Sequence, residues 1–73
     1  MKIVVIGGAG YIGSHVCHDL IDNGHQVLVF DNLSTGFKQN IPISADFFLG
    51  DILNPDDLQS AFNEEFDFVM HFA

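Results

Sequence analysis

Lys2-Ile3-Val4-Val5-Ile6-Gly7-Gly8-Ala9-Gly10-Tyr11-Ile12-Gly13 is the stretch on which the fold turns. Residues 2–6 form an apolar, β-branched run closed by glycine. That is how a strand buried on both faces reads, and such strands belong to parallel sheets. Residues 11–23 follow with Ile12, Val16, Leu20 and Ile21 at helical spacing, which predicts a stripe facing a core. Asn23-Gly24 stops that helix, with Gly24 suited to the left-handed position past its end. Between strand and helix the glycines satisfy two overlapping patterns. Gly7, Gly10 and Gly13 give G-x-x-G-x-x-G, while Gly8, Gly10 and Gly13 give G-x-G-x-x-G. Such a pattern is weak alone and informative in a strand–turn–helix context.

The order continues outward from there. Gln26-Val27-Leu28-Val29-Phe30-Asp31 predicts a second buried strand that ends in a carboxylate. A polar stretch over 32–44 contains Pro42, which disfavours a long helix. Asp46-Phe47-Phe48-Leu49 predicts a third, short strand closed by Gly50-Asp51. Asn54-Pro55-Asp56-Asp57 is a helix start, with a capping amide, proline at the first helical position and two acids at the positive dipole end. Leu58, Ala61 and Phe62 form that helix's apolar side, and residues 67–73 predict a fourth strand. The fold class is therefore α/β. The expectation is a truncated Rossmann-type parallel sheet of about four strands in the order 3-2-1-4, with right-handed crossovers and a helix on each face.

Composition removes several functional classes. The 73 residues are 48% hydrophobic and 16% charged, which argues against disorder. The formal net charge is −8, Lys2 and Lys38 are the only cations, and there is no arginine. Neither a nucleic-acid surface nor a polybasic membrane anchor fits that balance. No apolar run approaches the roughly 20 residues of a membrane span, and the N-terminal run is too short for a signal peptide. The single cysteine, Cys17, suits a reducing cytosol, so the expected location is cytoplasmic.

The glycine turn has a specific chemistry. The first glycine permits the tight turn, a middle one lets backbone approach a pyrophosphate, and the last lets the helix pack closely. Free N–H groups of the helix's first turn, helped by its dipole, then donate to phosphate without any cation. Asp31 stands at the end of the next strand, where a carboxylate can accept both hydroxyls of an adenosine ribose. It would repel a 2′-phosphate, so NAD is expected over NADP. A flavin or mononucleotide is the alternative ligand, and a tight turn without ligand is the bland one.

Gly7-Gly8-Ala9-Gly10-Tyr11-Ile12-Gly13-Ser14-His15, Asp31-Asn32-Leu33-Ser34-Thr35-Gly36, Gly50-Asp51-Ile52 and His71-Phe72-Ala73 occur in that order. Together they resemble the N-terminal segment of UDP-glucose (UDP-galactose) 4-epimerases, which are extended short-chain dehydrogenase/reductases. The resemblance implies that residues 1–73 are a partial NAD(P)-binding domain of a galactose-metabolising, sugar-nucleotide isomerase. It implies that the backbone of Tyr11 and Ile12 meets the pyrophosphate and that Asp31 holds the ribose. By the same resemblance Asn32, Leu33, Ser34, Thr35 and Gly36 surround that ribose, and Asp51 and Ile52 flank adenine. Phe72 and Ala73 begin the segment under the nicotinamide half. One departure is Ile6, where the family usually has threonine.

The resemblance also implies a Tyr-x-x-x-Lys pair, in which tyrosine is the base toward the sugar 4-hydroxyl, and a sugar-binding domain. The only tyrosine is Tyr11, and neither lysine stands four residues after it. The expectation is therefore a chain without catalytic residues, inactive alone, that meets a UDP-sugar only if the missing domain is supplied. A bare apolar edge on the 67–73 strand would then favour self-association. A related dehydratase or decarboxylase and a non-catalytic nucleotide-binding or assembly module are the competing readings.

Other residues are read as structural. His15 and His18, with Asp19 and Asp22, fit a solvated helix face better than a metal site. Cys17 is expected at the edge of the apolar stripe, and inert. His71 is expected to be a satisfied packing residue or a backbone hydrogen-bond partner, and Asp56, Asp57, Glu64 and Glu65 helix-end and solvated charges.

Overall fold

The structure, a computed structural model, describes residues 1–34, 36–63 and 65–72. Four strands, β1 (Lys2–Ile6), β2 (Gln26–Asp31), β3 (Asp46–Leu49) and β4 (Phe68–His71), form one sheet in the order β3-β2-β1-β4. All three pairings are parallel, with Lys2 opposite Gln26, Ile3 opposite Phe68 and Leu28 opposite Asp46. Helices α1 (Tyr11–Asp22) and α2 (Pro55–Ala61) complete the described regular structure, with a 3-10 turn at Lys38–Asn40. This is the expected Rossmann-type arrangement, in which β1 and β2 occupy the centre.

Strand alternation sorts the apolar residues onto two faces. Ile3, Val5, Val27 and Val29 point to one side, where Cys17, Leu20 and Ile21 of α1 cover them together with Phe47 and Met70. Val4, Ile6 and Phe30 point to the other, under Leu58 and Ala61 of α2 and Phe62 at its C-cap, and beside Phe48. The two helices therefore cover opposite faces. The Phe30 and Phe48 rings, on paired positions of β2 and β3, stack with centroids 5.5 Å apart.

Local chemistry accounts for the ends. The α1 terminus is a Schellman closure: Gly24 N–H donates to the Ile21 carbonyl, His25 N–H donates to that of Leu20, and Gly24 takes φ +85°. At α2 the Asn54 side chain accepts from the N–H groups of Asp56 and Asp57, and Pro55 follows it. Such a cap contributes about 1 kcal/mol.

Three expectations change. Leu20 and Ile21 pack against the core as the stripe predicts, but the buried residues of α1 are Gly13, Ser14 and Cys17, and Ile12 is 65% exposed. Gly13, Cys17, Leu20 and Ile21 share one helical face at i, i+4, i+7 and i+8, which turns Ile12 to the other side, while small residues at 13 and 14 let the helix approach the strands. Cys17 is correspondingly at the centre of its cluster and fully buried, not at the edge. The strand predicted over 67–73 is shorter, Phe68–His71. Its flanks stay tied to β1: Asp67 N–H donates to the Lys2 carbonyl while its carboxylate accepts the Lys2 N–H at 2.8 Å, and Phe72 N–H donates to the Ile6 carbonyl. Ala73 lies outside the described residues.

Phe30 is 1% exposed and carries the α2-side core, whereas Leu53 is 85% exposed. Phe30→Ala is expected to cost about 3–5 kcal/mol and Leu53→Ala under about 0.5 kcal/mol, read from urea denaturation midpoints.

Candidate functional site: the cleft at the strand ends

The C-terminal ends of all four strands open into one cleft of about 430 Å³. In doubly wound sheets ligands bind at this end, where the strand order reverses, here between β1 and β4. Gly7 and Gly10 bring the glycine turn to it, and Asp31, Asn32 and Ser34 line it from the end of β2. Asp51 and Ile52 follow β3, and Phe72 follows β4. Sequence segments far apart in the chain are thereby gathered around one space.

The overlapping glycine patterns resolve by geometry. Gly7 makes the turn, at φ +81°. Gly8 faces the core, where a Cβ would stand 2.8 Å from Val29 Cγ1. Gly13 lies behind the turn, where a Cβ would fall 2.3 Å from the Gly7 carbonyl oxygen. This close approach sets the first turn of α1 directly over the end of β1. Gly10 is the α1 N-cap and supplies no side-chain cap, so the Tyr11, Ile12 and Gly13 N–H groups precede the first intrahelical bond, from Ser14 N–H to the Gly10 carbonyl. Uncapped amides at a helix N-terminus form an anion site. Neither lysine lines the cleft: Lys2 lies over the Phe66 ring and Lys38 over that of Phe47.

Asp31 has a second connection that its position in the sequence did not disclose. Its Oδ2 accepts the Ala9 N–H at 2.9 Å, and its Oδ1 accepts the Leu33 N–H at 2.8 Å. Each carboxylate oxygen keeps a further lone-pair site for a ligand hydroxyl. The second bond also holds Leu33 at φ +62°, a left-handed conformation uncommon for a side chain of that size. Asn32 repeats the device, its Oδ1 accepting from Ser34 N–H. Asp51 accepts the Leu53 N–H through Oδ1 while its own N–H donates to Asp57 Oδ2.

Not every predicted residue reaches the cleft wall. Tyr11 and Ile12 are exposed beside it, Gly13 is buried behind it, and Leu33 is half-buried. Gly36 is buried against Ala9. Thr35 and Ala73 lie outside the described residues. Ile6, Phe30, Gly50 and Leu53 line the cleft without having been predicted. Phe30 and Ile6 read only as core residues, because a strand's last inward side chain serves both core and cleft. Ile6 gives the cleft an apolar floor where the resemblance implies threonine. Gly50 had a signal, the glycine closing a strand; a Cβ there would meet the Phe30 and Phe48 rings at 2.9 Å.

Other candidates stay outside the site. Burial pushes the Cys17 thiol up from 9.0 to about 11, which keeps it protonated and unreactive. The His15 ring packs edge-on against Tyr11, and His18 Nε2 lies 3.3 Å from the Asn40 carbonyl. Among the described residues no helix is long and apolar enough to cross a membrane.

The sequence profile described as the NAD dependent epimerase/dehydratase family matches residues 3–73. The chain belongs to this family. It is 46% identical to a UDP-glucose 4-epimerase of Streptomyces lividans over 99% of its own length and 22% of the relative's. Among solved family structures, a Thermus thermophilus UDP-glucose 4-epimerase in complex with NAD superposes with a TM-score of 0.94 at 43% identity, over 100% of this chain and 24% of the other. A Thermotoga maritima UDP-glucose 4-epimerase with UDP-glucose gives 0.95 at 42% identity, with the same coverage. The chain thus spans less than a quarter of the length of these relatives.

The Gly13 contact is the most restrictive in the site, since it is made with backbone. Gly13→Ala is expected to destabilise the chain by about 1–3 kcal/mol or more. Gly10→Ala, with its nearest contact at 3.4 Å, is expected to cost under about 1 kcal/mol, both by thermal and urea unfolding.

Proposed function

We propose that this chain forms the NAD-binding portion of a UDP-glucose 4-epimerase-like enzyme of sugar-nucleotide metabolism. The observation that carries this reading is the single cleft shared by the uncapped start of α1 and the Asp31 carboxylate. Those are the two groups a dinucleotide's diphosphate and adenosine ribose require, at the ends of neighbouring strands. Membership of the family supports it, as do relatives solved with NAD.

In this reading the Tyr11, Ile12 and Gly13 amides bind the diphosphate and Asp31 accepts the ribose hydroxyls. Asn32, Leu33, Ser34, Thr35 and Gly36 form the loop around that ribose, with Gly36 acting from behind through Ala9. Asp51 and Ile52 hold adenine, and Phe72 and Ala73 lead toward the nicotinamide end. Bound NAD would supply a reversible hydride acceptor for a sugar carbon. These 73 residues contribute binding and orientation; the tyrosine–lysine pair that the resemblance implies is not among them. A cytoplasmic setting belongs to the same proposal, supported by the free, buried thiol of Cys17.

NADH is expected to bind more tightly than NADPH in isothermal calorimetry, because the 2′-phosphate would face Asp31. Asp31→Asn is expected to weaken NADH about tenfold or more and to narrow the preference. Equal binding of the two cofactors by the unaltered chain would overturn this assignment.

Self-association is the remaining element of the proposal. β4 is the outermost described strand beside β1, and Phe68 and Val69 are each 53% exposed on it. Apolar strand edges pair with other chains, and a lysine blocks such pairing. Light scattering at micromolar concentration is expected to show species above 8.1 kDa, reduced to monomer in Val69→Lys. A monodisperse monomer of the unaltered chain would count against the interface.

A further inference from the structure

The peptide joining Ala9 to Gly10 lies at the centre of the glycine turn, and three hydrogen bonds set its plane. Gly10 N–H donates to the Gly7 carbonyl at 3.2 Å. The Ala9 carbonyl accepts from Phe37 N–H at 3.1 Å and from Asn40 Nδ2 at 3.3 Å. Gly36 completes the contact: a Cβ there would stand 2.4 Å from both the carbonyl carbon and the oxygen of Ala9, and 2.7 Å from the Gly10 nitrogen. Asn40 is itself held toward α1, with its carbonyl 3.3 Å from His18 Nε2. None of Gly36, Phe37 and Asn40 lines the cleft. The 36–40 segment therefore grips the turn from outside the space a ligand would enter.

The grip has an electrostatic consequence. A carbonyl oxygen has two lone pairs, and both are committed here. A carbonyl so engaged cannot rotate toward the cleft, where its negative end would oppose an anion and misalign the amides that follow. We propose that Asn40 is a positioning residue for a diphosphate ester of adenosine. Its side-chain amide, with the space left by Gly36, keeps the Ala9 carbonyl turned away from the cleft, so that the N–H groups of Tyr11, Ile12 and Gly13 meet the diphosphate. The proposal rests on the dinucleotide reading above and adds a residue that never touches the ligand.

The test compares two ligands that differ in the diphosphate. ADP-ribose and adenosine are titrated into the full chain, followed by NMR chemical shifts, for the unaltered protein, Asn40→Ala and Asn40→Asp. Asn40→Asp keeps the shape but sets a carboxylate oxygen against the Ala9 carbonyl. Both variants are expected to weaken ADP-ribose about three- to tenfold, the size of one lost hydrogen bond, while adenosine stays within about twofold. Weakening of both ligands alike, the outcome of a merely structural role, would overturn the proposal, as would no change in either. Should Asn40→Asp not fold, Asn40→Ala carries the same comparison. Should the unaltered chain bind no ADP-ribose, the dinucleotide reading fails, and hydrogen exchange without ligand decides the positioning role. Faster exchange of the Ala9 and Gly10 amides in Asn40→Ala then supports it, and unchanged exchange sinks it.

Discussion

The first turn of α1 rests on the carbonyl of Gly7 with no room for a side chain between them. Much of the molecule's arrangement follows from that contact. It places the helix N-terminus over the end of β1, where its first amides have no capping side chain among the described residues, and lets Cys17 sink between the sheet and α1. A bulkier residue at Gly13 would lift the helix and open the space that Val5, Val29 and Cys17 close. Packing and the candidate site are thus one constraint seen from two sides.

Asp31 joins the next layer to the first. Its carboxylate takes the Ala9 N–H while the Ala9 carbonyl is held by Phe37 and Asn40. One peptide segment is therefore gripped by the end of β2 and by the connection that follows it. The protein reaches an anion-accepting geometry this way despite a net charge of −8 and no cation in the cleft. In the proposed reading fixed amide dipoles take the place of arginine, and they need no reorganisation when a ligand arrives.

Much of this was legible beforehand where chemistry is local. The β-branched run before Gly7, the Asn54-Pro55 start of α2 and the Asn23-Gly24 stop of α1 each depend on neighbours a few residues away, and each appears where expected. The phase of α1 was misread at its first turn because hydropathy gives Gly13 and Ser14 no weight, while Ile12 scores as core although it falls on the far side of the helix from Cys17 and Ile21. The extent of β4 was overread because alternation in the sequence runs past both ends of Phe68–His71, where Asp67 N–H and Phe72 N–H still bond to the Lys2 and Ile6 carbonyls. The role of Asn40 had no local signal, since its partner is 31 residues away.

The sequence by itself determined the element order, the parallel topology and the strand ends at which chemistry would gather, because periodicity, capping and glycine placement act over a few residues. Only the tertiary structure decided which glycine turns and which one packs, what the Asp31 carboxylate holds in the chain itself, and which loop restrains the Ala9 carbonyl. Those outcomes depend on distances between segments brought together by the sheet, and no pattern along the chain encodes a distance across it.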